Sequence, residues 1–253
     1  MSVAQLQSKG PVLLDEISFF VAKSHRFLDK NDQSIFLKKW IKEADDVMRV
    51  DPIYGSLLKS KLGEVHGDIE KVTYWFNNAN RLGVMPHQIA TNMLVSYCNL
   101  GYGSKALQVL RDHVDISHGN IGETIWLAPA AGAFKYMKHL IEQAKRGNVE
   151  LPEKNLALSQ EVAELLDKSE VSDAICAQVI DVAGEIMRKH QLFWLGDMAE
   201  FVLDREGASV LMRFNVDVTY RNASSMSMEA VDLLIERKLD SVPFLIDFVG
   251  TRP

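Results

Sequence analysis

Cysteine is almost missing from this 253-residue chain, which carries only Cys98 and Cys176. Two isolated thiols make neither a disulfide framework nor a CxxC metal pair, so the fold must rest on packing. Both read as small apolar fillers inside helices. A basic surplus is missing as well: 28 Lys and Arg stand against 34 Asp and Glu, for a net charge of −6. That balance disfavours a broad nucleic-acid interface, which needs a basic face to displace counterions. Long apolar runs are also lacking. Residues 121–134 form the longest such passage, and Glu123, Thr124 and Pro129 interrupt it well short of the ~18 residues of a membrane span. Residues 1–20 show no basic stretch leading into an apolar core, so no secretory signal is expected. These absences point to a soluble, cytoplasmic protein with no membrane partner.

What is present is a period. Gly67 and Pro86 enclose GDIEKVTYWFNNANRLGVMP, and the layout restarts at Gly101, 34 residues on. A period of that size marks stacked helix–turn–helix units, each too small to bury its own apolar face. Within the first unit Val72, Trp75, Phe76 and Ala79 fall at i, i+3, i+4 and i+7, an apolar stripe that predicts a helix with those side chains in the core. Asp68 favours its N-terminus, Gly83 ends it, and Pro86 suits the first turn of the next helix. There Ile89, Met93, Leu94, Tyr97 and Leu100 share one side. Pro52 precedes Pro86 by one period, and Lys105, Ala106 and Leu110 repeat Lys71, Val72 and Phe76. Upstream, Ile35, Phe36, Trp40, Ala44 and Val47 outline an amphipathic helix. Downstream, residues 123–146 form a helical pair in which Ala133 and Phe134 stand where a turn glycine is expected.

The run from Gly67 to Pro86 resembles the second helix of a tetratricopeptide or pentatricopeptide repeat. Thr91, Asn92, Leu94, Tyr97, Gly101 and Ala106 resemble the first helix and turn of the following unit, and the likeness extends over about residues 52–116. It implies an α-α superhelix with a groove. The pentatricopeptide version implies a base-reading position at Asn92.

Residues 147–157 break the helical pattern with Gly, Pro and Asn and read as a linker. Helices are expected at 158–168 and 172–190, with a further one over WLGDMAEFVLDREG. Val210, Met212, Phe214, Val216, Val218 and Tyr220 then alternate with mostly polar neighbours, the period of two of a strand buried on one face. A polar connection over 222–227, a helix from Met228 and a second strand with Val242, Phe244, Ile246 and Phe248 inward complete the chain. Pro243 marks that strand as an edge. The expected organisation is a mainly α protein: a helical-repeat domain at 1–146, further helices at 158–205 and a strand–helix–strand unit at 206–253. Two strands alone rarely hold a sheet. The unit is therefore expected to pair with a further strand in cis or in a second chain, or to pack around Phe193, Trp194, Phe201 and Val202.

Chemical motifs are thin. Gly101-Tyr102-Gly103-Ser104-Lys105-Ala106 fits the G-x-G-x-x-A phosphate turn, but no convincing βαβ unit follows and the repeat already accounts for the glycines. Ser56 and Lys59 fit S-x-x-K with no companion motif. The seven histidines are scattered, with His113 and His118 five apart, which misses the i, i+4 placement of a helical metal pair. No cofactor, metal or catalytic residue is expected. The reading is a non-enzymatic adaptor whose groove, around Tyr74, Asn78, Asn92 and Asn99, binds a protein segment, with homo-oligomerisation through the C-terminal strands. The alternatives are a pentatricopeptide-like RNA binder, which calls for a basic strip joining Lys59, Lys61, Lys71, Arg81 and Lys105, and an enzyme assembled from scattered residues.

Overall fold

A computed structural model describes residues 3–29, 32, 34–112, 121–149, 151, 156–194 and 199–253. The described residues are mainly helical, with a small mixed sheet of three strands at the C-terminal end. The chain divides into two compact units, Met1–Ser96 and Tyr97–Pro253.

The first unit holds α1 (Val3–Lys23), α2 (Ile35–Val50), α3 (Pro52–Val65), α4 (Ile69–Arg81) and most of α5 (Pro86–Asn99). Asp51 links α2 to α3 as a single residue, and its carboxylate accepts from Tyr54 N at 3.0 Å while Pro52 fills the first helical position. That combination satisfies an orphan donor and pre-sets the helical φ. α3 packs against α1, α2 and α4 and is buried almost all round, with Leu58 and Val65 fully inaccessible. Asp68 caps α4 through Lys71 N at 3.1 Å. Val72, Phe76 and Ala79 are fully buried as the stripe predicts, whereas Trp75 is only half-buried, with Lys59 Nζ 4.8 Å above its ring. In α2 the buried face is Leu37, Trp40, Ala44 and Val47, while Ile35 is 88% exposed and Phe36 38%. The stripe therefore begins at Leu37, and Phe36 lies at its margin, edge-on to Trp40 at 5.0 Å.

The second unit holds α6 (Gly103–Asp112), α7 (Ile121–Leu127), a short 3-10 turn (Ala128–Ala131), α8 (Phe134–Arg146), α9 (Leu156–Lys168) and α10 (Asp173–Lys189). β1 (Ala199–Asp204), β2 (Ser209–Thr219), α11 (Tyr220–Glu236) and β3 (Phe244–Arg252) follow. Sheet order is β1-β2-β3, with β1 antiparallel to β2 from Ala199↔Phe214 to Asp204↔Ser209 and β3 parallel to β2 from Val210↔Phe244. β2 is the central strand. Val210, Met212, Phe214, Val216 and Val218 line its buried face.

Several expectations need correction. The segment read as a closing helix contains β1, so the stretch 158–205 is not all helical and the C-terminal sheet has three strands. The third strand is supplied in cis. Phe201 and Val202 mimic a helical face, but Glu200, Val202 and Asp204 alternate outward against Phe201 and Leu203, and the open side of β2 selects the extended form. Tyr220 does not continue β2. It opens α11, capped by Thr219, whose hydroxyl accepts from Asn222 N at 3.3 Å. The polar 222–227 connection is thus the first half of that helix, with Ala223 and Met226 buried. The third turn glycine is present too, at Gly132: it adopts φ +69°, matching +65° at both Gly67 and Gly101. In each of the three the next residue donates five residues back, Asp68 to Gly63 O, Tyr102 to Tyr97 O and Ala133 to Ala128 O, all at 2.8–2.9 Å. That is the Schellman ending of a helix. The third spacing is 31 residues rather than 34, which hides it from a fixed period.

Candidate functional site

The most polar interior of the first unit runs along α3. Ser56, Ser60 and Glu64 sit at i, i+4 and i+8 and are each 0–1% exposed; Lys61, beside them, is 3% exposed. The two serines return hydrogen bonds to their own helix, Ser56 Oγ to Pro52 O and Ser60 Oγ to Leu57 O, both at 2.7 Å. Side chains from other helices complete the seam. Asn78 Nδ2 on α4 donates to Ser56 Oγ at 2.9 Å, and Ser96 Oγ on α5 donates to Glu64 Oε2 at 2.5 Å. Lys61 Nζ donates to the same carboxylate oxygen at 2.8 Å. The ion pair is internal to α3 and weak as a source of stability; the Ser96 hydroxyl is the contact that ties it to α5.

One surface stripe continues from this seam. Tyr74, Asn78 and Arg81 lie at i, i+4 and i+7 on α4. Arg81 Nη2 donates to Asn78 Oδ1 at 3.3 Å and its guanidinium sits 5.7 Å from the Tyr74 ring centroid, while Tyr74 is 54% exposed. Tyr74 is further braced edge-on by Trp75 at 4.9 Å. The stripe is therefore held in place by contacts within α4 and by Asn78 reaching α3.

The expected groove residues do not all share this surface. Asn92 is half-buried on α5, one turn before Ser96. Asn99 belongs to the second unit, where its carbonyl accepts from Trp194 N at 2.8 Å. The basic residues do not form a strip in the first unit: Lys59 pairs with Asp45 at 2.7 Å, Lys61 is buried on Glu64, and Lys71 pairs with Asp68 at 3.5 Å. Lys105 is exposed on α6 of the second unit. Lys59 is thus turned to Asp45 and Trp75, and Ser56 to Asn78, which gives the S-x-x-K pair a structural account.

The phosphate-turn look-alike is likewise a packing device. A Cβ at Gly101 would lie 2.5 Å from Gly184 Cα, and one at Gly103 would lie 2.6 Å from Ile180 Cγ2. The first free amide of α6, Ser104 N, donates to Asp181 Oδ1 at 3.1 Å. Arg188 Nη1 donates to Leu100 O and Gly101 O, both at 2.7 Å, with its guanidinium 3.8 Å from the Tyr102 ring centroid. Burial holds that guanidinium below its ordinary pKa. The glycines face a helix where a pyrophosphate would have to sit.

The histidines among the described residues do not converge on one site. His66 meets Leu28 O at 3.2 Å and His139 meets Gln143 at 2.9 Å; His113 and His118 lie outside the described residues. Among the described residues no group of three or more His, Cys, Asp or Glu is arranged to hold a metal ion, and no helix is long and apolar enough to cross a membrane. Burial pushes the Cys176 thiol up to about 12, which keeps it protonated and unreactive.

Sequence reasoning missed the seam along α3. Its signal was present as polar residues at i, i+4 and i+8 inside a segment otherwise rich in leucine, with Leu57, Leu58, Leu62 and Val65 around them. The chain matches no family model, no curated protein and no solved structure.

Proposed function

We propose that this chain is a non-enzymatic interaction protein whose helical part is built from tetratricopeptide-like units and whose α4 surface binds a segment of another protein. The observation that carries the reading is the ordered stripe of Tyr74, Asn78 and Arg81. Tyrosine and arginine dominate the energetics of protein interfaces, and side chains that already contact one another lose less entropy on binding. Half-buried Asn92 on α5 supplies a further amide for an extended main chain. The pairing of Lys59, Lys61 and Lys71 with carboxylates weighs against the RNA-binding alternative, because those charges are already neutralised.

The test is capture of partners from extract by the immobilised chain, with bound protein and RNA both sequenced, in parallel with a Tyr74→Ala/Arg81→Ala variant. Proteins that are retained after nuclease treatment and lost in the variant are the expected result. RNA lost in the variant would replace this reading with the RNA-binding one. A capture set that the variant leaves unchanged would remove the α4 stripe from the interface.

A further inference from the structure

The two edges of the C-terminal sheet are finished differently. On the β3 side α11 lies along the strand, and the backbone N–H of Phe248 donates to Ser227 Oγ at 2.9 Å while that hydroxyl donates to Asp247 Oδ1 at 2.7 Å. The inward residues of β3 are correspondingly closed, Phe244 at 0%, Ile246 at 6% and Phe248 at 3% exposed. On the β1 side no strand pairs with the outer edge among the described residues. The inward residues Phe201 and Leu203 are less completely buried than those of β2 and β3, although Phe201 sits edge-on to Phe134 at 5.7 Å. The apolar layer of the sheet is complete everywhere except along β1. An edge strand left with open backbone groups and half-covered apolar side chains is a template for one more strand.

The outward side chains of β1 state what that strand must carry. Glu200, Val202 and Asp204 form an acid–apolar–acid row, with Val202 43% exposed and both acids exposed. Glu200 accepts from Asn215 Nδ2 at 3.2 Å and Asp204 accepts from Gly207 N at 3.0 Å; Arg213, opposite Glu200 on β2, is drawn to Asp247 at 3.6 Å and the neighbouring Arg205 onto Glu161, so neither is paired with the row. Cross-strand neighbours of opposite charge are favourable and like charges directly opposite are not. Two β1 strands paired antiparallel about Val202 would put Glu200 against Asp204, and two paired parallel in register would put each acid against itself. A second copy of this edge is the wrong partner.

We infer that the β1 edge is a docking site for an extended peptide segment of another protein, patterned basic–apolar–apolar–apolar–basic, which adds as a fourth strand. Its two basic residues face Glu200 and Asp204, its central residue covers Val202, and the remaining two close the layer over Phe201 and Leu203. Main-chain hydrogen bonds supply affinity and the alternating side chains supply selection. The site lies in the second unit and stands independently of the α4 stripe, so either can fail without the other.

The experiment uses the full chain and two fluorescent peptides, KVIVK and EVIVE, each flanked by glycines. KVIVK is expected to bind at least about tenfold more tightly than EVIVE, given two charge pairs that change sign, and to slow amide exchange across residues 199–204. The Glu200→Lys/Asp204→Lys variant is expected to reverse the preference by a similar factor, with a cooperative melt lowered only by loss of the Asn215 and Gly207 contacts. N-methylation of alternate peptide residues adds the backbone test: one set abolishes binding and the other leaves it. Equal binding of both peptides, equal tolerance of both methylated sets, or absence of new protection at 199–204 would each overturn strand addition. A dimer in sedimentation that the charge-reversed variant dissolves would overturn the peptide occupant in favour of a second copy.

Discussion

Gly101 and Gly184 pass backbone against backbone, the turn before α6 on the body of α10, with no room for a Cβ on either residue. Arg188, one turn further along α10, then ties the carbonyls of Leu100 and Gly101. Gly184→Ala is expected to push the two backbones apart and cost about 2–4 kcal/mol, as overpacking against an unyielding neighbour does. Gly83→Ala, where nothing lies within 4 Å, is expected to lose only about 1–2 kcal/mol from its left-handed backbone. Urea midpoints of the two variants measure the difference; an equal loss would mean that the close approach carries no energetic weight.

The α3 seam predicts strong non-additivity. Glu64→Leu leaves the Lys61 ammonium buried without its carboxylate, and Lys61→Met leaves the converse, at about 3–5 kcal/mol each. Replacing both removes two charges together, so the double variant is expected to lose much less than the sum of the singles. A double-mutant cycle in urea reads the coupling, and additive losses would mean that the two buried charges do not depend on each other.

Cys176 sets an alkaline limit. Its folded pKa is raised from 9.0 to about 12 by burial, so between those values the unfolded chain has released a proton that the folded chain retains. Stability from this group is fully present below about pH 9 and falls as pH rises towards about 12. Burial also raises Tyr136 above its ordinary value, adding loss in the same direction. Cys176→Ala is expected to flatten the decline in unfolding free energy between pH 8 and pH 10.5, and an unaltered slope would remove the thiol from the account.

Asn78 and Asn92 changed together to alanine are expected to weaken partner binding. The structure adds a cost in stability of about 1 kcal/mol, because Asn78 Nδ2 is the donor to buried Ser56 Oγ and its loss leaves one polar contact unmade. Asn92→Ala alone is expected to leave the melting temperature unchanged. Thermal melts beside binding isotherms separate the two contributions.

Truncation after Arg205 would remove β2, α11 and β3 and leave β1 with nothing to pair. It would also uncover Phe134, which meets Phe244 at 5.5 Å, and Trp194, which meets Phe214 at 5.2 Å. The expected product binds a hydrophobic dye and associates in sedimentation. A truncated chain with the original melting temperature, a monomeric mass and no dye signal would make the segment an appendage.

α2, α4 and α5 were legible because their apolar residues recur at helical spacing, with a recognisable cap at Asp68; α1, which carries Pro11 inside it, was not read from the sequence. β2 was equally plain, since its strict alternation admits one periodicity. β1 was not. Six residues, with Phe201 and Val202 adjacent, satisfy a helical face as well as a strand, and the choice is made by the open side of β2, which no local pattern reveals. At the candidate site, the placement of Tyr74 and Asn78 on one face of α4 follows from helical spacing, whereas the bond from Trp194 N to the Asn99 carbonyl joins residues 95 positions apart and has no local signal. The Lys61–Glu64–Ser96 contact joins α3 to α5, and such a partner becomes visible only after the chain has folded back.

The order β1-β2-β3 also has a consequence for vectorial synthesis. β1 and β2 are joined by the short turn at 205–208 and can close as a hairpin at once, whereas β3 reaches β2 only after all of α11 has been made. At about 5–20 residues per second, the inward face of β2 waits seconds on the ribosome for Phe244, Ile246 and Phe248. During that interval the nascent chain presents both a strand edge and an uncovered apolar row. A chaperone that recognises alternating apolar residues would find its target there, and release would coincide with the arrival of the last strand.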